Sequence, residues 1–286
     1  MLYSANNAPL KLNGIEILAS NASLALNTSL SANYVIGDRN TNSYVAGNGI
    51  GGSLSFNYFL TGNDYFKTFI TGQGEIPFGQ SQIISGNFGG LNFDSGYLTS
   101  YSVNFAPNSS TAAAVNIVFF DDLQGVFVST EEQASPSTVL NSSRVNITSE
   151  FEVDEISNFI EGSYNYSAEV APVYLIGETK PSEISFGKKT TSMNFEVDNP
   201  TGNLPVEGSN AKIEVKLRGY SSDEVLDTFS CSGVMQSRDL ASSAGSYVRQ
   251  SINIIQNDSQ IKIVAPKAIF NAGAGNVGIG STSFQG

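Results

Sequence analysis

The chain of 286 residues contains no histidine, no tryptophan and a single cysteine, Cys231. Histidine is the usual general base near neutral pH, and histidine and cysteine are the main protein ligands of zinc. Without histidine a Ser-His-Asp triad cannot be built, and one cysteine cannot close a disulfide within the chain. The composition therefore predicts that the protein is not an enzyme and that it binds no cofactor or metal. Cys231, close to Phe229, is expected to be a small buried hydrophobic residue.

Charged residues are also scarce. They make up 14% of the chain and are mostly acidic, with a formal net charge of −12 and a sequence pI near 4.4. Tight binding to a phosphate backbone requires clustered lysine and arginine that displace counterions, so static nucleic-acid binding is not expected. Low charge with abundant serine, asparagine and glycine is typical of proteins whose surfaces are buried in assemblies.

Long apolar runs are missing as well. No window approaches the roughly 18 apolar residues of a membrane span, and "MLYSANNAPLKLNGIEIL" has neither the basic start nor the apolar stretch of a signal peptide. We therefore expect no membrane association, with synthesis and retention in the cytosol.

What the sequence does contain is a repeat. "SANYVIGD" at 31–38 has a near copy in "APVYLIGE" at 171–178, 140 positions later (171 − 31). Strand side chains alternate between two faces, so a slip of one residue would invert the pattern. The apolar positions that keep one phase are Leu24, Leu26, Leu30, Ala32, Tyr34 and Ile36, and Tyr164, Tyr166, Val170, Pro172, Tyr174 and Ile176. This shared phase predicts an internal duplication.

Further anchors follow in both copies. "SLSFNY" corresponds to "SMNFEV", and each segment is followed by "TGN", at 61–63 and at 201–203. "VNIVFF" from Val115 corresponds to "INIIQN" from Ile252. Upstream of these, we align Gly90-Leu91 with Gly233-Val234.

The pattern predicts a mainly β fold of two tandem antiparallel β-sandwich or barrel domains, each with one short helix. The predicted strands lie near 23–36, 53–60, 100–106, 114–120, 162–177, 191–198, 211–218 and 247–256. Helices are predicted at "GNDYFKTFI", with Asn63 or Asp64 as the N-cap, and at "SSDEVLDTF", with Ser222 as the N-cap. The predicted domains are 1–125 and 151–257, with a linker at 126–150 and a C-terminal extension at 258–286. The Gly-rich end of that extension, 268–286, is predicted to be an arm that orders on a partner.

Motifs with a known chemistry are weak. Gly47-x-Gly49, Gly51-Gly52 and Gly89-Gly90 do not join a strand to a helix as a phosphate loop does, so they are interpreted as turn glycines. The acidic pairs are interpreted as solvated loop charge, because the spacing of a calcium loop is absent. These pairs are Asp121-Asp122, Glu131-Glu132 and Asp154-Glu155. No residue is assigned a catalytic, cofactor-binding or metal-binding role.

Four aromatic residues cluster late in the first copy: Phe88, Phe93, Tyr97 and Tyr101. A carbohydrate-binding patch is one interpretation of such a cluster. The other is that they are core and subunit-interface aromatics, which the strand context and the lack of tryptophan favour.

Several segments together resemble virion structural proteins of tailed bacteriophages, in particular the tail-tube and baseplate-hub group. They are "PLKLNGIEIL", a strand ending in "YVIG" or "YLIG", "GSLSFNYFLTG", and "GYLTSYSVNFAP" at 96–107. The resemblance covers most of both copies. It implies tube-like β domains, each with a flanking helix, whose sheets continue from subunit to subunit around a channel.

The resemblance further implies a trimeric or hexameric ring that contacts other tail or baseplate proteins and lets DNA pass transiently. The protein would be assembled in the cytoplasm of the bacterial host and reside in the virion. An acidic channel wall fits this role, since like charge keeps passing DNA from sticking. "GNVGIGSTS" near the end resembles a motif of phage fibre proteins. The alternatives are therefore a head-neck or fibre-attachment virion protein, or a carbohydrate-binding adhesion module.

Overall fold

The computed structural model describes residues 8–27, 30–33, 43–46, 49, 51–62, 64–71, 83–128, 139–141, 145–151, 158–176, 178, 180–198, 207–218, 224–242 and 248–256. Most of these residues lie in strands, as the sequence predicts. The strands are β1 (Leu10–Leu12), β2 (Ile15–Ile17), β3 (Ala19–Asn27), β4 (Leu30–Asn33), β5 (Ser43–Ala46), β6 (Gly51–Phe59), β7 (Ile84–Phe88), β8 (Leu91–Phe105), β9 (Ala112–Phe119), β10 (Val145–Phe151), β11 (Phe159–Val173), β12 (Glu183–Asp198), β13 (Asn210–Arg218), β14 (Val225–Ala241) and β15 (Arg249–Gln256). One short helix, α1, spans Lys67–Thr71. Among the described residues no helix is long and apolar enough to cross a membrane.

Alternation of buried and solvent-facing side chains explains most of the strands. In β6 every second residue is buried, with Leu54, Phe56 and Tyr58 on the core side. The strands β9, β13 and β15 follow the same rule. A period of two places all apolar side chains of a strand on one face, so one side of the sheet packs and the other meets solvent.

Thirteen of the strands form one antiparallel sheet, and β4 and β5 form a separate pair. The main strand order is β10-β13-β14-β15-β12-β11-β8-β7-β1-β2, and β9, β6 and β3 branch from β8. The branch arises because β8 is long. Along one edge, residues 91–96 of β8 pair with β7 and residues 100–105 pair with β11, while the other edge pairs with β9.

The strand pairing of the first part of the chain recurs in the second part. We call β1, β3, β6, β7, β8 and β9 the first series, and β10 to β15 the second series. The spatial order is β3-β6-β9-β8-β7-β1 in the first series and β11-β12-β15-β14-β13-β10 in the second. Each strand of one series therefore has a counterpart at the same place in the other, with the same connections along the chain.

The register recurs together with the order. Ala19 pairs with Tyr58 in the first series, and Phe159 pairs with Val197 in the second. These positions are 140 (159 − 19) and 139 (197 − 58) residues apart, the spacings that the sequence predicts. A β-bulge follows the first of these pairs in both series, between Ala19 and Asn21 and between Phe159 and Glu161. Bulges redirect a strand, so a matching bulge indicates a matching path of the backbone.

The pairing of β8 with β9 matches that of β14 with β15 in the same way. Gly96 pairs with Phe119, and Gly233 pairs with Gln256, 137 residues later (256 − 119). Both hairpins have a bulge just beyond, which skips Thr99 in β8 and Gln236 in β14. The counterpart of Gly233 is therefore Gly96, and our alignment of Gly90-Leu91 with Gly233-Val234 is wrong. Gly86, Gly89, Gly90 and Gly96 lie close together in the first copy, so several glycines there could be aligned with Gly233 in the sequence.

The buried residues of both series form one continuous core. Phe229 of β14 lies with its ring centroid 5.7 Å from that of Phe105 in β8, although β15, β12 and β11 separate these strands in the sheet. The sheet must therefore curl strongly and bring distant strands together on its apolar side. The halves share their core rather than holding separate ones.

Of the two predicted helices, the first is present as α1. Asp64 accepts a hydrogen bond from the backbone N–H of Phe66 at 3.4 Å, in agreement with its predicted role as a cap. The second prediction is wrong, because residues 225–229 begin β14. There Asp227, Phe229 and Cys231 are buried at alternate positions. The charged residue on the core side hid the strand period.

The strand predicted at 23–36 is divided in the structure into β3 and β4. Residues 34–42, which contain all of "YVIGD", lie outside the described residues. In "APVYLIGE", β11 ends at Val173, and Ile176 lies fully exposed in the turn that follows. The predicted inward phase therefore holds for Tyr164 and Tyr166, which are buried, and fails for Ile176.

The segment 126–150, predicted as a linker, contains part of the fold. Leu140 is fully buried, and its backbone joins two loops by accepting from the N–H of Thr111 and donating to the carbonyl of Leu60, both at 2.8 Å. The strand β10 begins at Val145 and pairs with β13. The extension 258–286 lies outside the described residues.

Both equivalent glycines lie close to the backbone of a neighbouring strand. An added Cβ at Gly233 would lie 1.9 Å from the backbone oxygen of Ile255 in β15, and one at Gly96 would lie 2.6 Å from that of Ile84 in β7. We expect Gly96→Ala and Gly233→Ala each to lower the free energy of unfolding by about 1–3 kcal/mol, because backbone on the neighbouring strand must move. Urea denaturation measures this, with Ser232→Ala, exposed on β14, as the control. A glycine variant as stable as the control would contradict the close backbone approach at that position.

Candidate assembly interface

Among the described strands, the two series meet through a single pair, β8 and β11. Residues 100–105 of β8 lie antiparallel to residues 162–167 of β11, with Phe105 opposite Gly162 and Ser100 opposite Ser167. The other edge of β11 carries β12, so β11 contributes the outer edge of the second series. This junction, which we call the β8–β11 junction, is an edge-to-edge joining of two equivalent groups of strands.

Side chains at the junction separate sharply by face. On the core side Tyr164 lies opposite Val103 and Tyr166 lies opposite Tyr101, and all four are at most 6% exposed. Direct cross-strand pairs of large side chains are the unit by which a sheet is stabilised. The junction is thus as well packed as the interior of either series.

Aromatic rings form a continuous chain across the junction. Phe66 lies next to Tyr101 at a centroid distance of 6.2 Å, and Tyr101 lies 6.2 Å from Tyr164. Tyr164 lies 5.4 Å from Phe229, whose ring is 5.7 Å from that of Phe105. Such pairs are worth about 0.5–1.5 kcal/mol each beyond the area that they bury. The chain of rings connects the first series to the second.

An ion pair adds a second connection between the series. The Lys67 ammonium, at the start of α1, donates to the Asp227 carboxylate and to the Thr228 carbonyl at the start of β14. It also lies 4.8 Å from the centre of the Phe229 ring. The Asp227 side chain is only 2% exposed, against 23% for Lys67. A buried carboxylate requires such a partner, because desolvation of the bare charge costs several kcal/mol.

A second buried carboxylate lies beneath α1. Asp64 accepts hydrogen bonds from the hydroxyls of Tyr58, at 2.5 Å, and Tyr101. Burial raises the pKa of Asp64, and the hydrogen bonds from Tyr101 and Tyr58 offset part of that rise. Burial also raises the pKa of both tyrosines, and the Asp64 charge adds to this effect. The hydroxyls therefore stay protonated and act as donors.

The other face of the sheet is polar. On β3, β6, β8 and β9 it carries no charge along the concavity that they line, which has a volume of about 360 Å³. Its polar lining residues are Asn21, Ser23, Ser55, Asn57, Ser100, Ser102 and Asn116. The face continues across the junction, where Ser102 lies opposite Asn165. We call this surface the polar face.

On the second series the polar face becomes charged. Alternation places Glu161, Glu196, Asp198 and Asp239 on the side away from the core, and Arg249 lies there too, paired with Glu196 at 3.4 Å. On β13 the same side carries Lys212, Lys216 and Arg218 next to Glu214. Carboxylates therefore outnumber cations on β11, β12, β14 and β15, whereas β13 is mainly cationic.

The glycine motifs occupy strands and turns. Gly89 and Gly90 form the turn between β7 and β8 with φ of 57° and 88°, conformations that favour glycine. Gly51 and Gly52 lie in β6. Gly49 lies outside the strands, and Gly47 lies outside the described residues.

The acidic pairs do not form a metal site in the described part of the chain, where no group of three or more histidine, cysteine, aspartate or glutamate side chains is found. Asp121 accepts a hydrogen bond from the backbone N–H of Asp94 at 3.2 Å, which stabilises the local loop. The pairs at 131–132 and 154–155 lie outside the described residues.

The aromatic cluster belongs to the core. Phe93, Tyr97 and Tyr101 are buried and Phe88 is half-buried, so they form no exposed carbohydrate platform. Tyr101 belongs to the β8–β11 junction within the chain, so the interpretation as core aromatics is confirmed and their place at a subunit interface stays a prediction. Cys231 is buried, as predicted for a small hydrophobic residue.

The sequence did not predict that two carboxylates, Asp64 and Asp227, are buried close to the junction. Asp64 was identified only as a helix cap, and its two tyrosine partners are on other strands. Asp227 lies two positions before Phe229 and four before Cys231. The strand period of two could therefore have indicated that Asp227 lies on the core side. Neither partner could be assigned from the sequence, since Lys67 is 160 residues away from Asp227 along the chain.

A scan against protein-family models and a search of curated proteins both give no match to this chain. The function must therefore be inferred from the geometry of the β8–β11 junction. What this geometry offers is mechanical: backbone pairing, packed aromatic rings and two buried carboxylates that each have partners.

Replacing Lys67 tests the ion pair between the series. Lys67→Met keeps most of the aliphatic stem and leaves the Asp227 charge buried without its cation, so we expect a loss of about 3 kcal/mol in the free energy of unfolding. Lys212→Met is the control, because Lys212 and Glu150 form an exposed pair at 3.5 Å. That control should cost less than about 1 kcal/mol. Equal losses in urea denaturation would contradict the buried role of the pair.

The Asp64 carboxyl gives a pH-dependent prediction. Its pKa is raised in the folded state, so the native protein holds this proton more tightly than the unfolded chain does. The resulting stabilisation is complete below the unfolded pKa of about 3.9 and is lost as the pH rises through the folded pKa. Asp64→Asn removes this titration. We therefore expect the stability of Asp64→Asn relative to the parent to rise with pH across that window and then level off.

Denaturant unfolding at a series of pH values measures this difference. Asp122→Asn, at an exposed loop carboxylate, is the matched control. A difference between Asp64→Asn and the parent that does not change with pH would refute the prediction.

Proposed function

We propose that this protein is a structural component of a bacteriophage tail, a tail-tube or baseplate-hub ring protein. Its two series belong to tandem tube-like β domains, predicted at 1–125 and 151–257, the second of which begins earlier, at Val145, because it includes β10. Copies of the chain associate by inter-subunit β-sheet around a DNA channel. The assembly is a trimer or hexamer that contacts other tail or baseplate proteins. It forms in the cytoplasm of the bacterial host and remains in the virion.

The observation that supports this proposal is the β8–β11 junction. A ring built from sheets requires each unit to add the edge of one sheet to the edge of the next, and main-chain hydrogen bonds supply that contact. This chain contains one such addition between two groups of strands with the same order, register and bulges. Three chains then supply six units, the arrangement that the hub resemblance implies.

The polar face supports a channel as the product of assembly. Serine and asparagine line the concavity on the first series, and carboxylates outnumber cations on β11, β12, β14 and β15 of the second. Along these strands the wall offers few phosphate contacts, so a DNA strand passes without binding tightly. The core-side aromatic residues are turned away from this wall.

The alternatives are a head-neck or fibre-attachment protein and a carbohydrate-binding adhesion module. The fibre-like segment "GNVGIGSTS" favours the first and lies outside the described residues. The aromatic cluster that suggested carbohydrate binding is mostly buried, which weakens the second.

Negative-stain electron microscopy of the purified full-length chain tests the proposal. We expect rings or short tubes with a central pore wide enough for duplex DNA, because the proposed function requires the units to surround a DNA channel. Glycan-array binding and light scattering on the same sample are the comparison. A monodisperse monomer that binds glycans would refute the tail function.

A further inference from the structure

The two edges that meet in the β8–β11 junction have counterparts at the ends of the sheet. The counterpart of β11 is β3, which pairs with β6 along one edge and with no described strand along the other. The counterpart of residues 100–104 of β8 is 237–241 of β14. There β15 occupies one edge, and the pairing with β13 ends at Val234, so no described strand pairs with the other edge.

We propose that residues 237–242 of one chain pair with residues 22–27 of a second copy, antiparallel and in the register of the β8–β11 junction. Adding 137 to a residue number of β8 gives its counterpart in β14, and subtracting 140 from a residue number of β11 gives its counterpart in β3. These two offsets define the register of the proposed pairing. Ser23 then lies opposite Ala241, as Ser163 lies opposite Asn104, and Ala25 lies opposite Asp239, as Asn165 lies opposite Ser102. This pairing rests on the proposed ring function and deepens it, because it names the partner and the residues of the contact.

Apolar side chains at these two edges are exposed in the single chain, although their counterparts at the β8–β11 junction are buried. Leu240 is 61% exposed, whereas its counterpart at the junction, Val103, is fully buried. Leu26 is 42% exposed, whereas its counterpart Tyr166 is 6% exposed. Leu24, which would face Leu240, already packs against the core. The contact therefore extends the existing core rather than starting a new one.

A second copy is the occupant that the geometry favours. Edge strands with apolar side chains are templates for pairing, and proteins usually blunt them with charge, proline or a covering element. Here both edges belong to the same chain, and they are complementary to each other in the way already realised at the junction. Such a head-to-tail contact repeats one rotation, so it gives a closed ring or an open helical fibre.

Paired cysteines test the register in the full-length chain. The variant Ser23→Cys with Ala241→Cys and the variant Ala25→Cys with Asp239→Cys each place two sulfurs on directly opposite residues of neighbouring chains. Ser23→Cys with Asp239→Cys and Ala25→Cys with Ala241→Cys are matched controls, since diagonal neighbours are about 7–8 Å apart and outside disulfide reach. All four positions are exposed in the single chain, and Cys231 is buried.

We expect the matched variants to give a ladder of covalent oligomers on a non-reducing gel after mild oxidation, and the controls to remain monomers. The top of the ladder counts the chains in a closed ring. Cross-linking that is equal in all four variants, or absent in all four, would overturn the proposed register.

A charge on the edge gives a second measurement. Leu240→Lys should shift assembly, followed by sedimentation, to about tenfold higher protein concentration or more, since one buried leucine contact is worth about that factor. Val126→Lys, at a site 75% exposed and outside both edges, is the control and should leave assembly unchanged. An equal shift in both variants would contradict the edge contact.

Microscopy of the same samples separates this inference from the proposed function. Rings without matched cross-links would overturn the pairing and leave the ring function standing. Matched cross-links in fibres that never close would support the pairing and refute the ring. Monomers at every concentration would contradict both.

Discussion

The sheet depends on one strand, β8, that holds neighbours along both edges. One edge pairs with β9, and the other pairs first with β7 and then with β11. This arrangement requires a mismatch of lengths, because β7 has 5 residues and β8 has 15. The part of β8 that β7 leaves uncovered is the place where the second series attaches. Without the short β7, the two groups of strands would have no common edge.

The helix α1 is stabilised by tertiary contacts rather than by its own sequence. A helix of 5 residues is far below the length at which helices are stable alone. It is held because Phe66 packs against Tyr101, Lys67 reaches Asp227, and Asp64 is bound by two tyrosine hydroxyls. These contacts reach three strands, β6, β8 and β14. The helix region therefore connects strands of both series on the apolar side of the sheet.

Strands with a strict period of two could be predicted from the sequence. β6, β9, β13 and β15 agree with the predicted ranges to within two residues at each end. The repeat was also predictable, since the shared phase at Leu24 and Tyr164 reflects the register that the backbone follows in both series. Shorter strands escaped, because three residues such as those of β1 and β2 contain no measurable period.

The candidate interface was largely beyond the sequence. Which strands pair depends on which strand edges are left without a partner by the rest of the fold. The residues of 100–105 and 162–167 contain no local signal for that pairing. Asp227 broke the apolar pattern of β14 because its partner comes from the other series. The aromatic cluster was assigned to the core correctly, but only the structure shows that Tyr101 contacts Tyr164 across the junction.

The β8–β11 junction lies within a single chain, and this makes it insensitive to dilution. A contact between two parts of one chain forms at a high effective concentration, so its occupancy does not fall on dilution as an association between separate molecules does. In any larger assembly of these units, half of the contacts along the row are then in place once each chain has folded. Because both series are in one chain, the contact within the chain and the proposed contact between chains use different residues. In the pairing proposed above, Tyr164 and Val103 form the permanent contact within the chain, and Leu24 and Leu240 form the separate contact between chains.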